Sequence, residues 1–392
     1  VEAWASTTRP YTDYPTPVPS PSDPDLESLA ADLEGTEQGL VVAGRLDASE
    51  EAGAVRRLAA HLGWPLLPDI TSRLRRADAE ATDRVPYADL VLTSEAFRTA
   101  HSPEAVLQVG GRFASKRLRL FMRDCAPSVW VVLRPMPSRI DPDHRTTHHL
   151  EADISATAIA LTRRLGRREA ATAWSEAWTG ASERAEAILR AHTQEADVLT
   201  EPLVARVLSE ETPTSHALVA ASSMPVRDLN RHAAASSSPG PTYANRGASG
   251  IDGTVATAAG VAVGRQGPVT LLIGDLALWY DLNGLALLRD RPVVVVVVNN
   301  DGGGIFHFLP IREYPEFDPY FTTPHGRDFE DAAATFGLPY HAPETPAAFR
   351  AAYAEACRGS GAVLIEVQTD RDANEQVHDR LETEIRRAVE EQ

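Results

Sequence analysis

Lysine is almost missing from this 392-residue sequence: Lys116 stands alone, and every other basic side chain is arginine. Cysteine is nearly as scarce, with only Cys125 and Cys357. Two cysteines so far apart make neither a redox pair nor a zinc-ligand pair, and they suit a reducing compartment. No apolar run approaches the roughly 18 residues of a membrane span, and Val1 opens no basic-then-apolar leader, so a cytoplasmic protein without membrane insertion is expected. Positive charge is in deficit, with 55 acidic residues against 38 basic ones and a formal net charge of −17. That balance argues against nucleic acid or an anionic bilayer as a general partner, and an anionic ligand would need a local cluster of arginines. Acid excess with arginine also fits a salt-adapted or GC-rich source. Apolar residues make up 43%, enough for ordinary globular cores and too many for a disordered chain.

The length suffices for two or three domains. Residues 1–34 are rich in proline and serine and read as a linker that holds neither a helix nor a central strand. Residues 35–168 alternate short apolar runs (GLVVAGRL, ADLVLTSE, AVLQVGGR, SVWVVLRP) with helix-like segments (SEEAGAVRRLAAHL, DISATAIALTRRL), the rhythm of a central α/β domain. Residues 169–200 read as an amphipathic helical connector. In 201–392 the strands HALVAASS, TYAN, PVTLLIG, PVVVVVV and AVLIEVQT alternate again with helices or glycine-rich loops. The fold class expected is α/β, with two doubly wound parallel-sheet domains. Any ligand then sits at the carboxyl ends of the strands.

Six valines run straight into Asn299, Asn300, Asp301 and three glycines, Gly302 to Gly304. An upstream strand, VTLLIG, ends in the same way on Gly274 and Asp275, and a crossover helix from Leu276 to Arg289 would bring both polar tips to one sheet edge. One carboxylate, one amide oxygen and a loop carbonyl form the oxygen-only cage that Mg²⁺ takes when it holds a diphosphate. A neutral amide suits that task, because a second carboxylate would repel the phosphates. The glycines allow close backbone approach and can start a helix whose N–H groups face phosphate oxygens.

Gly-Asp, a crossover of this length and Asn-Asn resemble the fingerprint of the thiamine-diphosphate enzymes. The resemblance implies Asp275, Asn300 and the Gly302 carbonyl as ligands of Mg²⁺ or Mn²⁺. It implies a cofactor site of Gly274, Asp275, Leu276, Asn300, Gly302, Gly303 and Ile305, with Ile251 as the apolar wedge under the cofactor. Leu276 stands where that family usually has glycine, which counts against a decarboxylase or an acetolactate synthase. The stretches GDLALWYDLNGLALL, NNDGGGIFHFLP, ANRGASGIDGTVATAAGVA, ASSMPVRDLNRHA and RFASKRL are similar to one branch, the 2-succinyl-5-enolpyruvyl-6-hydroxy-3-cyclohexene-1-carboxylate synthases of menaquinone biosynthesis.

That branch implies decarboxylation of 2-oxoglutarate and addition of the succinyl unit to isochorismate. Ser223 and Arg227 would hold the distal carboxylate of the donor. Lys116, Arg117 and Arg246 would face isochorismate as the candidate catalytic cations, and Lys116 would account for the one lysine retained. His307, Trp279 and Tyr280 read as core or wall residues. The branch works as a homodimer or homotetramer and carries a further, pyrimidine-binding domain that nothing in this sequence resembles. The expectation is therefore a partial enzyme with little turnover alone. One subunit of a split synthase, a non-catalytic cofactor-binding module and a different enzyme using the first sheet remain open beside it.

Overall fold

Apolar runs without alternation become strands buried on both faces. Gly39–Ala43 (β1), Leu66–Pro68 (β2), Ala105–Val109 (β3), Val129–Arg134 (β4) and His148–Glu151 (β5) form one sheet in the order β2-β1-β3-β4-β5. Ala217–Ala220 (β6), Thr242–Ala244 (β7), Val269–Gly274 (β8), Val293–Asn299 (β9), Tyr340–His341 (β10) and Val363–Gln368 (β11) form a second, in the order β10-β11-β9-β8-β6-β7. Every pairing in both sheets is parallel, so the expected two-sheet α/β architecture is what the chain adopts. This computed structural model describes all residues except 1, 8–10, 14, 16–17, 76–83, 139, 167–171, 236–239, 247–249 and 392. Among the described residues no helix is long and apolar enough to cross a membrane, and both cysteines are free.

Ten helices matter below: Asp23–Glu34 (α1), Ser49–Leu62 (α2), Lys116–Cys125 (α3), Ile154–Arg164 (α4), Ala173–Glu195 (α5), Glu201–Glu211 (α6), Met224–His232 (α7), Thr254–Arg265 (α8), Asp275–Tyr280 (α9) and Arg371–Glu390 (α10). The first corrects the reading of residues 1–34 as a linker without helix. The Ser22 side chain accepts the Asp25 N–H, Pro24 falls in the first turn where its missing N–H costs nothing, and Leu26, Leu29 and Leu33 share one buried face.

ADLVLTSE is not a strand either. Ala88–Val91 is a single helical turn, and the Ser94 hydroxyl accepts the Phe97 N–H to begin another short helix. The strand beside β1 is instead β2, in register from Val41 opposite Leu66, too short to stand out in the sequence. The crossover after β8 breaks after α9 and continues as a 3₁₀ segment, Leu282–Leu288. Asp281 causes the break by turning its carboxylate to the Val255 and Ala256 N–H groups at 2.6 and 3.0 Å, so it caps α8.

The 169–200 segment does more than connect. Trp174, Trp178 and Leu189 of α5 lie in one core with Phe97, Phe121 and Trp130 of the central domain and with Leu381, Ile385 and Val389 of α10. The C-terminal helix thus crosses back to complete the first domain.

Candidate functional site

The register of β8 and β9 sets Gly274 opposite Val298. Asp275 and Asn300 therefore emerge side by side at the carboxyl edge of the second sheet, where open α/β sheets take ligands. They line a cavity of about 170 Å³ with Glu201, Ser223, Asp228, Ile251, Gly274, Leu276, Gly302, Gly303, Gly304 and Ile305. Asp275 is buried and held from three sides. Its Oδ2 accepts the Gly302 N–H at 2.8 Å and lies 3.2 Å from His325 Nε2, while Oδ1 accepts the Leu276 N–H at 2.6 Å. A carboxylate offers about four lone-pair positions, so one on Oδ1 is left. Burial raises the Asp275 pKa, against the pull of those three donors.

Asn300 donates from Nδ2 to Glu201 Oε1 at 2.7 Å. Its Oδ1 is buried without a donor, and a buried acceptor of this kind needs a partner. Gly302 has φ 129°, and a Cβ there would lie 1.9 Å from the Thr322 carbonyl oxygen, so only glycine fits. The glycine amides do not face outward as expected. Gly302 N–H is spent on Asp275, Gly303 donates to Thr322 O at 2.7 Å and Gly304 to Gly302 O at 3.0 Å, and only a short 3₁₀ turn, Gly304–Phe308, follows. Ile251 lines the cavity and packs on the second sheet's core.

A second cavity of about 570 Å³ opens between the domains, lined by Arg112, Lys116, Arg119, Trp130, Arg227 and Arg246 among others. The wall between the two cavities is α7, which presents Met224, Pro225 and Asp228 to the smaller one and Arg227 to the larger. Ser223, at the N-terminal end of that helix, has φ 72° and ψ −134°, a conformation that L-residues avoid and that concentrates at functional sites. Its carbonyl accepts from Arg227 Nη1. Burial lowers the Arg227 pKa, and Arg246 and Arg231 lower it further; Arg246 Nε is itself buried without a partner. An anion between these arginines would relieve both.

Of the expected site residues, Arg117 is turned away from the cavity. It pairs with Asp89 at 2.8 Å and Glu382 at 2.9 Å, a contact between α3 and α10. Tyr280 is no core residue, being 71% exposed, whereas His307 is buried and Trp279 packs against Phe329 with ring centroids 5.0 Å apart. Glu201, Asp228 and His325 are site residues that the sequence did not announce. Burial raises the pKa of Glu201, and burial together with the neighbouring Glu201 charge raises that of Asp228. Arg112 and Arg119 were missed as well, although the run GRFASKRLR carries them; Arg119 is already engaged by Asp143.

The family described as "Middle domain of thiamine pyrophosphate" matches residues 1–219, and "Thiamine pyrophosphate enzyme, C-terminal TPP binding domain" matches residues 225–367. Similar curated proteins named 2-succinyl-5-enolpyruvyl-6-hydroxy-3-cyclohexene-1-carboxylate synthase come from Salinibacter ruber, 68% identical over 391 residues, and Rubrobacter xylanophilus, 51% identical over 373. The matches cover 100% and 95% of this chain but only 66% and 65% of those relatives, so the chain spans just under two thirds of their length. Two solved structures share the fold at 18% identity. A thiamin diphosphate-dependent enzyme from Mycobacterium smegmatis aligns with a TM-score of 0.66 over 91% of this chain and 66% of its own. Benzoylformate decarboxylase from Polynucleobacter necessarius gives 0.65 over 93% and 68%. The chain, with its Gly-Asp and Asn-Asn tips side by side at one sheet edge, belongs to the thiamine pyrophosphate enzymes and carries their middle and C-terminal cofactor-binding domains.

Proposed function

We propose that this chain provides the diphosphate-binding and substrate-binding parts of a synthase that joins the succinyl unit of 2-oxoglutarate to isochorismate in menaquinone biosynthesis. The observation that carries the reading is the strained Ser223–Arg227 wall, with the cofactor cavity on one side and a cation-lined cavity on the other. A donor carboxylate and a dicarboxylate acceptor thereby meet at one partition.

The residues present fit Mg²⁺ or Mn²⁺ with thiamine diphosphate. Asn300 Oδ1 is a buried oxygen without a donor, Asp275 keeps a lone pair, and nothing lies within 4 Å of a Cβ built on Gly274, so backbone there borders open space. Asp275, Asn300 and the Gly302 carbonyl would hold the metal, and Ile251 would wedge beneath the cofactor. The bound cofactor supplies the electron sink that a 2-oxo acid needs to lose CO₂. Arg227, steadied by the Ser223 carbonyl, would grip the distal carboxylate of the donor; Lys116 and Arg246 would hold the carboxylates of the acceptor. Arg117, spent on Asp89 and Glu382, would position α3 and with it Lys116. Assembly as a homodimer or homotetramer belongs to the same reading.

The test is calorimetric titration of thiamine diphosphate with Mg²⁺ into the chain, alone and with the remaining part of a related synthase supplied as a second polypeptide. Metal-dependent binding, with succinyl transfer once both polypeptides are present, is expected. No binding in either case would leave the Asp275–Asn300 arrangement a relic. Metal-dependent binding without transfer would favour a cofactor-binding module.

A further inference from the structure

Behind the cofactor cavity lies a second group of unsatisfied polar atoms, separate from Asp275 and Asn300. Asp228 and His232 are one helical turn apart on α7, and His378 approaches from α10; all three are buried. Each offers a ligand atom, and these atoms lie within 4.8 Å of one another. His378 Nε2 is 3.4 Å from Asp228 Oδ1, and the two imidazole centroids are 5.1 Å apart at 67°. Both ring nitrogens of His232, both of His378 and Asp228 Oδ1 have no hydrogen-bond partner. Five orphaned polar atoms on three converging side chains are costly to bury, at about 1–3 kcal/mol for each unsatisfied group.

We propose that Asp228, His232 and His378 bind a divalent transition-metal ion of the zinc class. Two imidazoles and a carboxylate are the donor set of an open, three-protein-ligand zinc site. Bonds of about 2.0–2.1 Å put tetrahedral ligand atoms roughly 3.3 Å apart, so the trio closes by a side-chain adjustment on the order of 1 Å. Of the cations near the trio, Arg231 is already matched by Asp89 at 3.1 Å and Glu382 at 3.5 Å, while Arg75 beside His232 and Arg227 beside Asp228 oppose the ion. Asp228 also lines the cofactor cavity, which supplies an entry path and room for a water as fourth ligand. The ion would fasten α7, which bears Arg227, to α10, which completes the central domain.

The experiment is titration of the EDTA-treated chain with Co²⁺ alone, followed by visible absorption. One equivalent giving the intense bands of tetrahedral coordination is expected, displaced by Zn²⁺. His232→Gln and His378→Gln should each weaken uptake at least tenfold, while Asp275→Ala leaves those bands in place, which separates this site from the cofactor metal. Only the pale spectrum of octahedral Co²⁺ in the unaltered chain would overturn the proposal, whether or not the variants fold. Full uptake by both histidine variants would overturn it too.

Discussion

Ser223 shows how a single residue stores strain for a task. Its φ of 72° and ψ of −134° cost about 1–3 kcal/mol for any residue but glycine. Ser223→Gly should therefore raise stability by about 1 kcal/mol in chemical denaturation while weakening 2-oxoglutarate binding; an unchanged denaturation midpoint would show that the site bears no strain. Glu201 acts through its neighbour. By accepting from Asn300 Nδ2 it fixes which end of the amide faces the cavity. Glu201→Leu should raise the Mg²⁺ concentration needed for cofactor binding about tenfold or more, read by calorimetry, and an unaltered Mg²⁺ dependence would place the control of that amide elsewhere. Asp275, Asn300 and Gly302 were legible because one βαβ crossover carries them. Glu201 sits 99 positions from Asn300 and His325 sits 50 from Asp275, and no local pattern reports a meeting made by the sheet.

Between elements, the joint that matters ties α3, α7 and α10 to the helical turn at Asp89. Asp89 takes Arg117 at 2.8 Å and Arg231 at 3.1 Å, and both arginines reach Glu382. Burial alone would raise the Asp89 pKa, yet Arg231 and Arg117 hold it below the usual carboxylate range, and Glu186 is likewise lowered, against burial, chiefly by Arg206. A depressed carboxylate stabilises the fold above its unfolded value of about 3.9–4.3, and the contribution fades as pH falls through the folded one. Melting temperatures between about pH 5 and 2 should accordingly drop more steeply for the native chain than for Asp89→Asn; parallel curves would sink the assignment. Asp89→Ala should cost about 1–3 kcal/mol, because the Ser115 hydroxyl and both arginines lose a buried acceptor while Glu382 still holds the arginines. Nothing in PYADLVLTSE announced this joint. Its apolar run suits a strand as well as a turn of helix, and the choice is made by burial against α5, visible only once Trp178 and Leu381 share a core.

Across the whole molecule the net charge of −17 and the cation-lined cavity pull in opposite directions when salt is added. Screening should relieve repulsion on the acidic surface and raise the melting temperature, while weakening dicarboxylate capture between Lys116, Arg227 and Arg246. Measuring both from low salt to about 1 M decides this, since parallel trends would show that the cavity carries no excess positive field. The two sheets were readable because period and length suffice for buried parallel strands, but the way they interlock was not. The closing helix α10 places Leu381, Ile385 and Val389 in the core built around Trp178. During synthesis at about 5–20 residues per second, the roughly 200 residues between Trp178 and Leu381 take on the order of 10–40 s to appear. Through that interval the faces of α5 and of the Ala88–Val91 turn that α10 covers stay open, so of the two domains described here the one made earlier is finished later, and a holding chaperone has its window there.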